Sequence, residues 1–147
     1  MSRYRPTRSI LCIVALLAMG APALASANVS CQIDDANLAF ELQAIAGRSG
    51  PIVQVQAGTI AIKPSAARAA AQLTFGHTNI VQQWDLDDDM RLQIEVGDEK
   101  SKATVNLVIF ARLNKATDKY SGRYVLKISR AGKTHELKGR IKECVAG

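Results

Sequence analysis

The chain has 147 residues, 48% of them apolar and only 5% aromatic, with a formal net charge of +6. This length allows one domain at most once an N-terminal segment is subtracted. Three cysteines and two histidines, scattered along the chain, do not make a zinc ligand set.

The N-terminal segment reads as an export signal. Arg3, Arg5 and Arg8 form a basic region, residues 10–19 are apolar, and Ala25-Ser26-Ala27 offers small residues for cleavage. The apolar run is shorter than the roughly 20 residues that span a bilayer, and no second such run follows. The expected organisation is a cleaved Sec signal peptide over 1–27 and a single all-β domain over 28–147, in the periplasm or secreted. Without the three arginines, 16 basic side chains face 13 acidic ones. Cleavage also removes Cys12 and leaves Cys31 and Cys144, one near each end. In an exported domain without a CxxC motif such a pair predicts a disulfide. Closing so long a loop restricts the unfolded chain by about 4–5 kcal/mol in the chain-entropy account.

Taken in order, residues 29–33 suit a short edge strand, and Asp34-Asp35 mark a turn. Leu38, Phe40 and Leu42 face one way and Glu41 and Gln43 the other, the period of a half-buried strand. Residues 47–51 are dense in turn formers. The run 52–62 alternates with a slip of phase near Gly58, which predicts a bulge or bend there. Residues 65–72 predict a short alanine-rich helix, residues 73–75 a brief strand, and residues 78–84 a helical turn, because Ile80, Val81 and Trp84 would share one helical face. Asp85, Asp87, Asp88 and Asp89 belong in a solvated loop.

The second half patterns more cleanly. Residues 90–96 alternate strictly. Residues 103–113 are more continuously apolar, as in a central strand covered on both faces. Tyr124, Leu126 and Ile128 point inward on the next strand, and the last strand alternates Leu137 and Ile141 against Glu136, Lys138, Arg140 and Lys142. Strict alternation places Cys144 on the outer face unless a bulge intervenes. About eight strands result, with an up-and-down meander in the C-terminal half. The expected fold is a single small antiparallel barrel of lipocalin-like type, with a β-sandwich as second choice. This architecture is similar to that of small periplasmic inhibitors and miniature lipocalin-like binders, without a motif that ties the chain to either.

Charge separates along the chain. Residues 28–99 carry 10 acidic and 4 basic side chains, and residues 100–147 carry 3 acidic and 12 basic ones. Arg123, Lys127, Lys138, Arg140 and Lys142 therefore form a candidate basic binding face for an acidic protein, glycan or lipid surface. Asp85, Asp87 and Asp89 match the first three ligand positions of a calcium loop, but Met90 stands where that loop needs glycine and Val96 where it needs glutamate. That leaves only a weak metal candidate. His77 and His135 are isolated, no GxSxG elbow accompanies them, and the crowded aspartates lack the separated environments of a carboxylate pair. Trp84, Phe110, Tyr120 and Tyr124 are expected chiefly in the core. No phosphate-cradling glycine loop and no aromatic platform for nucleic acid appears. No cofactor is implied. The expected function is a non-enzymatic binding or inhibitor module of the bacterial envelope, with a small-molecule carrier as alternative and a hydrolase as the least favoured reading.

Overall fold

The structure is a computed structural model and describes residues 27–47, 51–63, 72–86 and 88–146. The expected signal peptide before Ala27, the turn tip at 48–50, nearly all of the expected helix and Asp87 lie outside the described residues. The elements are β1 (Ala27–Asp34), β2 (Leu38–Ala46), β3 (Ile52–Ile62), β4 (Leu73–Thr74), a 3-10 turn (His77–Asn79), β5 (Ile80–Leu86), β6 (Asp89–Asp98), β7 (Ala103–Asn114), β8 (Lys119–Arg130) and β9 (Lys133–Ala146). They form one antiparallel sheet in the order β4-β3-β2-β1-β9-β8-β7-β6-β5, curled into a half-barrel. The all-β, barrel-like class stands, with nine strands where about eight were expected.

Period-2 patterning builds the core. In β2, Leu38, Phe40 and Leu42 are buried, and in β7 so are Val105, Leu107 and Ile109. The outer face of β7 is only half-buried at Asn106, Val108 and Phe110, so this strand is not covered on both faces as its composition suggests. The buried residues of β1–β4 and β6–β9 make one continuous apolar cluster. Each fully buried Leu or Ile contributes on the order of 1.5–3 kcal/mol of transfer free energy.

Three local readings are corrected. First, β1 is not an edge strand. It lies between β2 and β9, with Val29, Cys31 and Ile33 buried. Second, residues 80–86 are a strand paired with β6, and helix is confined to His77–Asn79. Pairing with the strict alternation of β6 outweighs the helical spacing of Ile80, Val81 and Trp84. Third, the irregularities of β3 fall near Val53 and Gln56, where its register with β2 shifts, and not at Gly58. That glycine serves close packing: a Cβ there would sit 2.7 Å from both the ring and the carbonyl oxygen of Phe75.

Cys31 and Cys144 are direct register partners, with Cα atoms 4.1 Å apart and sulfurs at disulfide distance. Cys144 reaches the inner face through a bulge. Between Tyr120↔Cys144 and Gly122↔Ile141, Ser121 of β8 opposes both Lys142 and Glu143 of β9. The extra residue reverses the alternation, and Cys144 becomes fully buried.

Side chains bridge the sheet where backbone ladders lapse. Across the seam between β3 and β5, the Ile52 amide donates to Gln83 Oε1 at 2.8 Å and Gln83 Nε2 donates to the Ile52 carbonyl at 3.1 Å. Where β1 and β9 diverge, Asn37 Nδ2 donates to the Lys138 carbonyl at 3.1 Å. Nearby the Tyr124 hydroxyl donates to Asp35 Oδ2 at 2.6 Å. Tyr124 is paired across the strands with Gly139, and a Cβ on Gly139 would collide with the Tyr124 ring and the Asp35 carboxylate. Burial pulls Asp35 upward, but hydrogen bonds from Tyr124, Asn37 and Leu38, with the Lys63 charge, outweigh it and hold the carboxyl below its ordinary 3.8. Burial and the Asp35 carboxylate push the Tyr124 phenol above its usual range.

Two outcomes follow from these contacts. Reduction of the Cys31–Cys144 pair should lower unfolding free energy by about 4 kcal/mol, read as a shift of the urea midpoint with and without reductant. Tyr124→Phe should cost about 1.5–3 kcal/mol at pH 7, the range for a hydrogen bond to a charged group. Because the folded pKa of Asp35 is depressed, its stabilisation is present above 3.8 and is lost as pH falls through the lower folded value. The difference between wild type and Tyr124→Phe should therefore narrow in acid denaturant titrations.

Candidate functional site

Antiparallel register is set by the turns, and here the turns align one row of side chains. The two-residue turn Ala131-Gly132, with both residues at positive φ (48° and 75°), pairs Arg130 with Lys133. The same register carries Lys127 opposite Glu136 and Arg123 opposite Arg140. The β7–β8 turn pairs Asn114 with Lys119 and so brings Phe110 opposite Arg123. The β6–β7 and β5–β6 turns set Phe110 against Arg91, and Arg91 against Trp84. On the outer face, five adjacent strands thus present Trp84, Arg91, Phe110, Arg123 and Arg140 in one transverse row.

The row is chemically coherent. Arg91 and Arg123 lie over the Phe110 ring with their guanidinium carbons 5.8 and 5.4 Å from its centroid. Each such contact is worth about 0.5–1 kcal/mol at an exposed site. Arg123 and Arg140 face each other as directly opposed like charges, an arrangement that destabilises a sheet. Among the described residues, no carboxylate forms an ion pair with Arg91, Arg123 or Arg140. A hollow of about 510 Å³ lies over the middle of the row, bordered by Arg91, Phe110, Arg112, Ser121 and Arg123, with Asp89 at its edge beside Arg112.

The five residues expected to form a basic face are all exposed on β8 and β9, but they divide by partner. Lys127 and Lys138 both reach Glu136, at 3.7 and 2.9 Å. The hydrogen bond and charge of Lys138, aided by Lys127, hold the Glu136 carboxyl below its ordinary value. Arg123 and Arg140 are brought together. Lys142 sits at the β9 bulge and borders, with Arg140, Asp34 and Asp35, a separate polar hollow of about 640 Å³. Arg91 and Arg112 were missed because Arg91 belongs to the acidic half of the chain and Arg112 was read as part of an apolar strand. The outward positions of alternating β6 and β7 were the signal that could have found them.

The aspartate cluster is divided by the β5–β6 hairpin. Asp85 lies in β5, Asp88 in the turn and Asp89 in β6, while Asp87 and the side chain of Asp85 lie outside the described residues. Asp88 pairs with Lys115 at 3.1 Å, and Asp89 approaches Arg112 at 3.8 Å. Among the described residues, no three His, Cys, Asp or Glu side chains are grouped to hold a metal. His77 and His135 are exposed on different elements.

The aromatic residues also separate. Tyr124 is fully buried and Tyr120 is 8% exposed, as expected for the core, but Trp84 is 47% exposed. Phe110 packs on the outer face beneath the two arginines. Trp84 borders a cavity of about 530 Å³ at the end of the half-barrel where β1 begins and β2 ends, lined largely by apolar side chains. No described helix is long and apolar enough to cross a membrane, and a cysteine pair at disulfide distance is compatible with an oxidising, exported location.

The opposed arginines yield a stability prediction. Arg140→Glu should raise the melting temperature at low ionic strength, by the equivalent of about 0.2–1 kcal/mol for a cross-strand pair. The gain should fade as added salt screens the exposed charges. Comparison with known proteins returns no matching family model, no matching curated protein and no matching solved structure.

Proposed function

We propose that the chain is an exported, non-enzymatic binding module that holds an anionic ligand on the outer face of β6–β9. The observation that carries this reading is the Arg123–Arg140 pair, two directly opposed cations continued by Arg91 across Phe110. A sheet whose only requirement is folding gains from opposite charges at such positions and loses from like ones. A ligand bearing phosphate, sulfate or carboxylate groups offsets that repulsion, and the guanidinium fork suits such groups better than a lysine does. Packing of Arg91 and Arg123 on Phe110 limits their rotamers before a ligand arrives, which lowers the entropy lost on binding. The basic balance after removal of the expected signal peptide supports the same class of partner through long-range attraction.

The test uses a dextran sulfate column and compares variants of equal net charge. Arg123→Glu/Arg140→Glu should elute at clearly lower salt than wild type. Lys100→Glu/Lys133→Glu, which changes exposed lysines away from the row, should elute close to wild type. Coincident elution of the two double variants would mean that net charge alone governs retention, and the row mechanism would be rejected.

A further inference from the structure

The apolar cavity and the arginine row are contiguous. Met90 and Arg91 border both the 530 Å³ cavity at the barrel end and the 510 Å³ hollow over the row. Inside the cavity Val29, Ile52 and Leu92 supply buried apolar walls. At its rim Trp84 and Leu86 are 47% and 72% exposed. Two large apolar side chains held in water beside an apolar cavity, with an arginine at the boundary, describe a site for a molecule that is apolar at one end and anionic at the other.

We infer that the site takes a single-chain anionic amphiphile, its alkyl chain in the barrel-end cavity and its headgroup on Arg91 and the adjoining Arg123. The inference rests on the proposed function, since it assigns the anionic group to the same row, and it adds the class of ligand. The cavity volume lies within the roughly 300–1,000 Å³ usual for small-molecule sites. Transfer of methylenes from water is favourable, so a chain of modest length can drive binding that the exposed arginines alone would not. Charge complementarity selects the headgroup. Arg91 has no carboxylate partner among the described residues, whereas the neighbouring described acids, Asp88 and Asp89, face Lys115 and Arg112. A cationic amphiphile would meet three arginines along the row. The apolar lining is recessed and partly open, with buried Val29, Ile52 and Leu92 in its wall, which fits one chain better than the face of a bilayer.

Trp84 is the single tryptophan of the chain and reports occupancy directly. Titration with dodecyl phosphate below its micelle-forming concentration should give a saturable blue shift of Trp84 emission. Inorganic phosphate and dodecyltrimethylammonium should give none. Arg91→Glu should weaken the dodecyl phosphate response at least tenfold. Ala46→Phe, which fills the cavity from β2, should abolish it while leaving dextran sulfate retention unchanged. Should Ala46→Phe fail to fold, Leu86→Ser at the exposed rim provides the same comparison without changing the net charge. Equal titration of wild type and both cavity variants by dodecyl phosphate would overturn the inference, as would an equal response to the cationic amphiphile. Normal dextran sulfate behaviour with no Trp84 response removes the inference alone. Retention that ignores the Arg123→Glu/Arg140→Glu change removes the proposed function beneath it. Phosphatidylglycerol vesicles that shift Trp84 equally in wild type and Ala46→Phe would assign the site to a membrane surface and overturn the single-chain inference.

Discussion

The molecule depends on the junction of its first and last strands. Two meanders, β1–β4 and β5–β9, share one described backbone ladder, running from Val29↔Ala146 to Gln32↔Glu143. Cys31 and Cys144 stand within it, separated by 113 positions in sequence. A ladder this short, between segments this distant, forms only after a large loss of chain entropy. A covalent link at that point removes most of the loss from the folding equilibrium once oxidised. The β9 bulge at Lys142 and Glu143 is part of the same device, because without the reversal Cys144 would face solvent while Cys31 stays buried.

From that junction outward, short turns determine which side chains meet. The row of Trp84, Arg91, Phe110, Arg123 and Arg140 exists because four successive turns hold their registers. A one-residue slip of register at any of them would send the row residues beyond it to the opposite face. The row proposed to bind is therefore set by strand register across β5–β9. Two of its cations, Arg91 and Arg123, also lie over the Phe110 ring.

Much of the scaffold was legible in the residues and much of the site was not. Strict alternation in residues 90–96 and at Tyr124, Leu126 and Ile128 marks strands because one face must leave water, and the structure follows that pattern. The same rule failed at Cys144, where two polar residues share one register position and no local residue type announces the bulge. It also failed for 80–86, since Ile80, Val81 and Trp84 satisfy helical and strand templates alike and only the partner strand decides. An edge position gives the first strand one neighbour, whereas pairing with β9 as well as β2 gives it two. The basic face was legible as composition, yet Arg123 opposite Arg140 is a statement about register. Arg91 was hidden by its place among acidic residues along the chain.

The Gln83 bridge has a consequence of a different kind. A backbone ladder is common to every sequence that adopts the strand, so no substitution except proline can delete its amide. At the β3–β5 seam the hydrogen bonds to Ile52 come from one side-chain amide. That side-chain link is encoded by a single codon, so one substitution can remove or restore it. The seam is thus one place where this architecture is open to evolutionary adjustment, and it lies beside the cavity at the barrel end.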